Sequence, residues 1–103
     1  MPAGSNRLRL DLDSPGFQEV LCRLELQELR QVIASLGRLR QLDWNAVYRH
    51  PGFKGEAIRH IRAPNGDTAY SLRLSEKIRA IAYRDGEFLR LISLHSDHDS
   101  AYK

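Results

Sequence analysis

The hydrophobic positions change period along the chain, and each change marks an element. Arg7-Leu-Arg-Leu-Asp-Leu-Asp13 alternates polar and apolar residues, the signature of a half-buried strand. Ser14-Pro15-Gly16 then interrupts the alternation. Ser14 suits an N-cap and Pro15 a first helical position, where its missing N–H costs nothing. Phe17, Val20, Leu21 and Leu24 fall on one helical face, and Leu29, Val32, Ile33, Leu36 and Leu39 form a second stripe. A helical hairpin or two short successive helices follow from this spacing. Gly37 argues against an unbroken helix as far as Leu42. Asp43 caps a short turn through Trp44 and Val47.

Beyond Arg49 the signals are those of loops and strands. Pro51 and two glycines make 49–55 a loop, and Glu56–Arg62 fits more than one element. Ala63-Pro-Asn-Gly-Asp67 is a tight turn. Tyr70–Leu74, Ile78–Arg84 and Glu87–Leu94 read as three consecutive antiparallel strands. Asp85-Gly86 is the strongest short-range hairpin signal in the chain. A two-residue turn there pairs Arg84 with Glu87, Tyr83 with Phe88, Ile81 with Arg90 and Arg79 with Ile92. Ile78, Ala80, Ala82, Leu89 and Leu91 then share the core face, small enough for a helix to approach. His95 continues the parity of that face. If Ser75-Glu76-Lys77 is a three-residue connection, Arg73 lies directly opposite Arg79. Such a like-charge pair is destabilising without a carboxylate or a bound phosphate as third party.

The expected architecture is a single α+β domain spanning residues 1–103. An N-terminal strand and two or three helices pack on one face of a twisted antiparallel sheet. At 103 residues, 42% hydrophobic and 28% charged, one modest core is within reach. No apolar run is long enough to span a bilayer, and the N-terminus lacks a hydrophobic signal core, so a cytoplasmic location with no membrane contact is expected. The single Cys22 excludes an intramolecular disulfide and is expected to be buried.

Net charge is +3, and its distribution narrows the partners. Between Arg49 and Arg90 there are nine basic and five acidic residues, so the positive excess sits on and just before the strands. A localised basic field attracts nucleic acid or an acidic protein. After the last strand, Ser96-Asp97-His98-Asp99-Ser100 and Tyr102 gather polar groups capable of proton transfer. His95, His98, Asp97 and Asp99 also have the donor types of a metal site. One tail cannot hold such ligands rigidly, and no metal or cofactor is expected. No phosphate-binding loop, nucleotide fingerprint or nucleophile elbow is present.

Tyr70-Ser-Leu-Arg-Leu, Ile78-Arg-Ala-Ile-Ala-Tyr83 and Leu91-Ile-Ser-Leu94 with a late tyrosine resemble the RelE/ParE-like toxin superfamily of bacterial toxin–antitoxin systems. The order of strand, two helices and three antiparallel strands is also similar, from about Leu8 to Tyr102. The resemblance implies a small endoribonuclease that cuts mRNA without a metal, on or off the ribosome, and is neutralised by a cognate antitoxin. In that chemistry the RNA 2′-OH attacks the adjacent phosphate. By resemblance Glu56 is the general base, Arg79 with Arg73 stabilises the phosphate, and His98 or His95 supplies the general acid. Tyr102 takes the place of a C-terminal site tyrosine. Lys77, Arg90 and His95 complete the expected RNA-binding set. The tail Ser96-Asp97-His98-Asp99 departs from the basic residues that RelE-like members carry there, which favours a histidine-based site. The alternative is a non-enzymatic ParE-like toxin or a basic module that binds RNA or protein without cutting.

Overall fold

The structure, a computed structural model, describes residues 8–96. β1 (Arg9–Asp11) leads into α1 (Pro15–Arg23), α2 (Leu26–Leu39) and α3 (Trp44–Arg49). β2 (Glu56–Arg62), β3 (Thr68–Arg73), β4 (Ile78–Asp85) and β5 (Phe88–Ser96) follow as an antiparallel meander. The sheet order is β1-β5-β4-β3-β2, with the helices over one face. The expected α+β layering is present. β1, however, pairs in parallel with β5, so the sheet is mixed rather than wholly antiparallel. The ambiguous segment after the loop is β2, an edge strand.

The helices bury the apolar stripes that their spacing defines. Phe17 of α1 and Val32, Leu36 and Leu39 of α2 are fully or almost fully enclosed against Leu72, Ile78, Ala80, Ala82, Leu89, Leu91 and Leu94 of the sheet. Ala80 and Ala82 let the helices lie close, and the burial of such side chains contributes about 1.5–3 kcal/mol for each large one. Ile33 departs from the expected stripe and is exposed, while Ser35 takes a buried position instead. The Ser35 hydroxyl donates to the Leu74 carbonyl and accepts from the Arg38 guanidinium, tying α2 to the end of β3. Gly37 does not interrupt α2. Asp43 caps α3, its carboxylate accepting from the Ala46 N–H at 2.8 Å.

Two expectations are corrected in the N-terminal half. Cys22 is exposed, because the buried stripe of α1 runs through Phe17 and leaves Cys22 on the outer side. Ser14 stands at the N-cap of α1, but its hydroxyl makes no cap bond and donates instead to the Ile92 carbonyl at 2.7 Å.

The C-terminal hairpin is also shifted. Asp85 pairs with Phe88, so the two turn residues are Gly86 and Glu87 rather than Asp85 and Gly86. Gly86 has φ +64°, a conformation that suits glycine at the first position of a hairpin turn. Tyr83 therefore faces Arg90, and Ala82 faces Leu91. The register then slips once, between Ile81 and Ala82, where Ile81 faces Ser93. Ile92 is the extra residue of this β-bulge. Its carbonyl is the one that accepts the Ser14 hydroxyl.

Candidate nucleic-acid interface

The bulge decides which chemistry the second face of the sheet carries. Because side chains alternate with a period of two, one inserted residue exchanges the faces of everything beyond it. Leu94 accordingly joins the core, and His95 does not follow the parity of Leu89 and Leu91. It lies on the opposite face, directly across from Arg79.

Arg79 in turn pairs with Arg73 on β3, as the three-residue connection requires. Arg73, Arg79 and His95 thus form one row across β3, β4 and β5. The neighbouring row runs Glu56, Ser71, Ile81 and Ser93 from β2 to β5. Adjacent strands are about 4.8 Å apart, so each row is a compact set of groups on a rigid frame.

Two serines hold the polar groups of the first row. Arg79 Nη1 donates to Ser71 Oγ at 3.1 Å, and Ser71 is fully buried. Ser93 Oγ and His95 Nε2 share a hydrogen bond at 2.8 Å. Arg73 Nε is buried and has no hydrogen-bond partner among the described residues. Neither Arg73 nor Arg79 forms an ion pair among them. Among the described residues, then, two adjacent guanidiniums stand without a counter-carboxylate, one with a shielded N–H left over. Below it, Ile58, Ala69 and Ile81 make a small apolar cluster with Ile61 and Ile92, which stiffens the sheet beneath the row.

The remaining sequence candidates occupy distinct places. Glu56 is exposed at the start of β2, across from Ser71 and diagonal to Arg73. Lys77 is exposed in the β3–β4 connection. Arg90 is engaged in structure: Nε donates to Asp85 at 2.8 Å, Nη1 pairs with Asp11, and its guanidinium lies 4.8 Å from the centre of the Phe88 ring. The Asp13 backbone N–H and the Arg90 guanidinium hold the Asp11 carboxyl below the usual carboxylate range. The hydrogen bonds that Arg90 donates to Asp85 and Asp11 in turn push its own pKa upward. His98 and Tyr102 lie outside the described residues.

Sequence reasoning passed over Ser71 and Ser93. Both stand two residues from a singled-out group, Arg73 or His95, on the same strand, and strand periodicity alone puts them on its face. It also passed over a group at the far side of the sheet. Trp44, Tyr48 and Tyr70 stack in series, with ring centres 6.2 Å and 5.8 Å apart, and the Arg84 guanidinium lies 4.3 Å from the Trp44 ring centre.

No family profile matches the chain in sequence, and no curated protein does. Solved structures do match in shape. The archaeal RelE of a RelE–RelB complex from Pyrococcus horikoshii OT3 superposes with a TM-score of 0.58 at 17% identity, covering 88% of this chain and 93% of that one. A copper-bound mutant toxin from Helicobacter pylori gives 0.46 at 18% identity, covering 91% and 97%. A conserved hypothetical protein from Helicobacter pylori gives 0.44 at 14% identity, covering 90% and 96%. The fold of this chain is RelE-like.

Proposed function

We propose that this chain is the toxin of a toxin–antitoxin pair and that it cuts mRNA as a metal-free endoribonuclease in the cytoplasm. The observation that carries the reading is the row Arg73–Arg79–His95, basic, with Arg79 and His95 each held by a serine, and free of carboxylates among the described residues. The RelE-like fold supports it, and the archaeal RelE neighbour was solved with RelB, which supports a cognate antitoxin as partner here. Among the described residues no helix is long and apolar enough to cross a membrane.

The layout fits the steps of the reaction. Glu56 on β2 and His95 on β5 are three strand spacings apart, about 14 Å between backbones. Both stand on the face that carries Arg73 and Arg79 on the two strands between them. A phosphodiester lying there meets a base on one side and an acid on the other. Glu56 takes the proton of the 2′-OH, and the resulting oxyanion attacks phosphorus. The arginines stabilise the charge on the phosphorane oxygens, a contribution of about 10²–10³-fold per donor. The bond to the 5′-oxygen breaks and that oxygen takes a proton from the imidazolium of His95 or, in the tail, His98. The products are a 2′,3′-cyclic phosphate and a 5′-hydroxyl. Histidine suits the acid role because its ordinary pKa is about 6.5.

The test is induced expression in bacteria of the wild type, Arg79→Ala, His95→Ala and His98→Ala, with primer extension on a reporter mRNA. Growth arrest with discrete cuts, abolished by Arg79→Ala and by one of the two histidine changes, is expected. Arrest without cuts assigns the chain to the non-enzymatic ParE-like class. Folded protein that causes no arrest overturns the toxin reading.

A further inference from the structure

The aromatic series on the helix side borders a cavity of about 190 Å³ between α3 and the β2 side of the sheet. Trp44, Tyr48, Tyr70, Leu72 and Leu89 line it, so its walls are mostly carbon. Tyr70 faces Ala82 and Leu72 faces Ala80 across the β3–β4 ladder, which places the cavity on the core side, away from Arg79. The proposed cleavage chemistry does not use it.

The volume sets the size of an occupant. An apolar cavity of about 150 Å³ holds one benzene. A slightly larger one admits a single substituted ring or a small fused pair. The walls set its shape. The rings of Trp44, Tyr48 and Tyr70 follow one another at interplanar angles of 31° and 52°. Such tilted rings offer faces and edges together, and a further planar ring packs well against both. Tyr48 is 45% exposed, so the series is open to solvent at one end.

Charge sets the substituent. Among the described residues Arg84 is the one cation lining the cavity. Its guanidinium is held twice, by the Trp44 ring and by the Gly86 carbonyl, to which Nε donates at 3.1 Å. Its two terminal nitrogens have no hydrogen-bond or ion-pair partner among those residues. Glu56 also borders the cavity, but its place opposite Ser71 puts its side chain on the other face of the sheet. Asp43 shares a separate recess with Arg84, where its carboxylate caps α3 and forms no ion pair among the described residues. A planar guanidinium with a free edge matches the two oxygens of a carboxylate. A phosphate monoester carries a charge of about −1.5 to −2 and would call for a second cation. A side chain of carbon alone would leave Arg84 unmatched.

We infer that the Trp44–Tyr48–Tyr70 cavity binds a small aromatic carboxylic acid, with its ring between α3 and the sheet and its carboxylate on the Arg84 guanidinium. The site is independent of the cleavage chemistry and is tested apart from it. Trp44 is the only tryptophan of the chain, so its indole N–H gives a single resonance in a proton–nitrogen correlation spectrum. The full-length protein is titrated with benzoate, 2-naphthoate and indole-3-carboxylate, and with the primary amide of each.

At least one acid is expected to shift the Trp44 resonance saturably, and its amide to bind about tenfold more weakly. Arg84→Gln should weaken the acid about tenfold and leave the amide unchanged. Ala57→Leu, which fills the cavity from β2, should weaken both. The dispersion of the spectrum checks that each variant is folded. Arg79→Ala should bind the acid as the wild type does, whatever it does to cleavage. No saturable shift with any acid overturns the inference. So does an acid that binds no better than its amide, or one that either Arg84→Gln or Ala57→Leu leaves unaffected. Loss of binding in Arg79→Ala would place the acid on the basic row and overturn it equally.

Discussion

His95 lies directly across the β4–β5 ladder from Arg79, on the face of the sheet away from the helices. Each is held by a serine on the same face, Arg79 by Ser71 and His95 by Ser93. A hydroxyl that fixes a side chain's orientation acts on rate through geometry rather than by touching substrate. Ser93→Ala should therefore lower the single-turnover cleavage rate by about fivefold, since one hydrogen bond is worth about 1 kcal/mol. His95→Ala should lower it by about 10²–10⁴-fold if His95 is the acid. A Ser93→Thr variant, which keeps the hydroxyl, should recover most of the loss. An unchanged rate in Ser93→Ala would remove the serine from the site.

Arg73 and Arg79 face one another without a counter-ion among the described residues. Under the proposed function a bound phosphate relieves that repulsion. Arg73→Met should raise unfolding stability in urea by about 0.2–1 kcal/mol at low salt. The same change should weaken RNA binding and flatten the slope of log K against log salt by about 0.7. Loss of both stability and binding would show that Arg73 has a structural partner instead.

Asp11, Arg90 and Asp85 join β1, β4 and β5 through charge. The Asp11 carboxyl is lowered in the folded state by the Asp13 N–H and by Arg90. Its contribution is therefore complete above the ordinary carboxylate pKa of about 3.9 and is lost as pH falls through the depressed folded value. Asp11→Asn should lower the thermal midpoint by a few degrees near neutral pH. The difference from wild type should shrink on acidification. A constant difference down to the acid transition would contradict the assignment.

Ser14 donates to the carbonyl of Ile92, the bulged residue. Ser14→Ala leaves that acceptor without its partner, at a cost of about 1–3 kcal/mol. The effect should appear in hydrogen exchange as faster opening of β5 around the bulge. A local loss confined to α1 would mean that Ser14 acts through its helix end instead.

Much of this fold is written in periodicity. The stripe through Phe17 and the stripe through Val32, Leu36 and Leu39 specify two helices facing one core. The Arg73–Arg79 pairing follows from a three-residue connection and was legible for that reason. His95 was not. Its face depends on an inserted residue at Ile92, and nothing in the alternation of Leu89, Leu91 and Leu94 distinguishes a bulge from a run of buried positions. The hairpin turn was misplaced by one residue because Asp-Gly is favoured at both central positions of one turn type, whereas here Gly86 holds the first of them. The cavity beside β2 was hidden for another reason. Trp44, Tyr48 and Tyr70 come from separate elements, and only the tertiary approach of α3 to the sheet brings them together.

The bulge at Ile92 works as a frame marker within β5. Straightening β5 without removing a residue would turn the imidazole inward and offer a leucine to the basic row, whereas deleting Ile92 would remove the bulge and leave Leu94 and His95 on their present faces. Relatives that keep the spacing from Leu91 to the histidine but pair β5 without a bulge would have the composition of the site with its histidine turned to the core. In comparing such chains, the register of the last strand is thus as informative as the identity of the residues it bears.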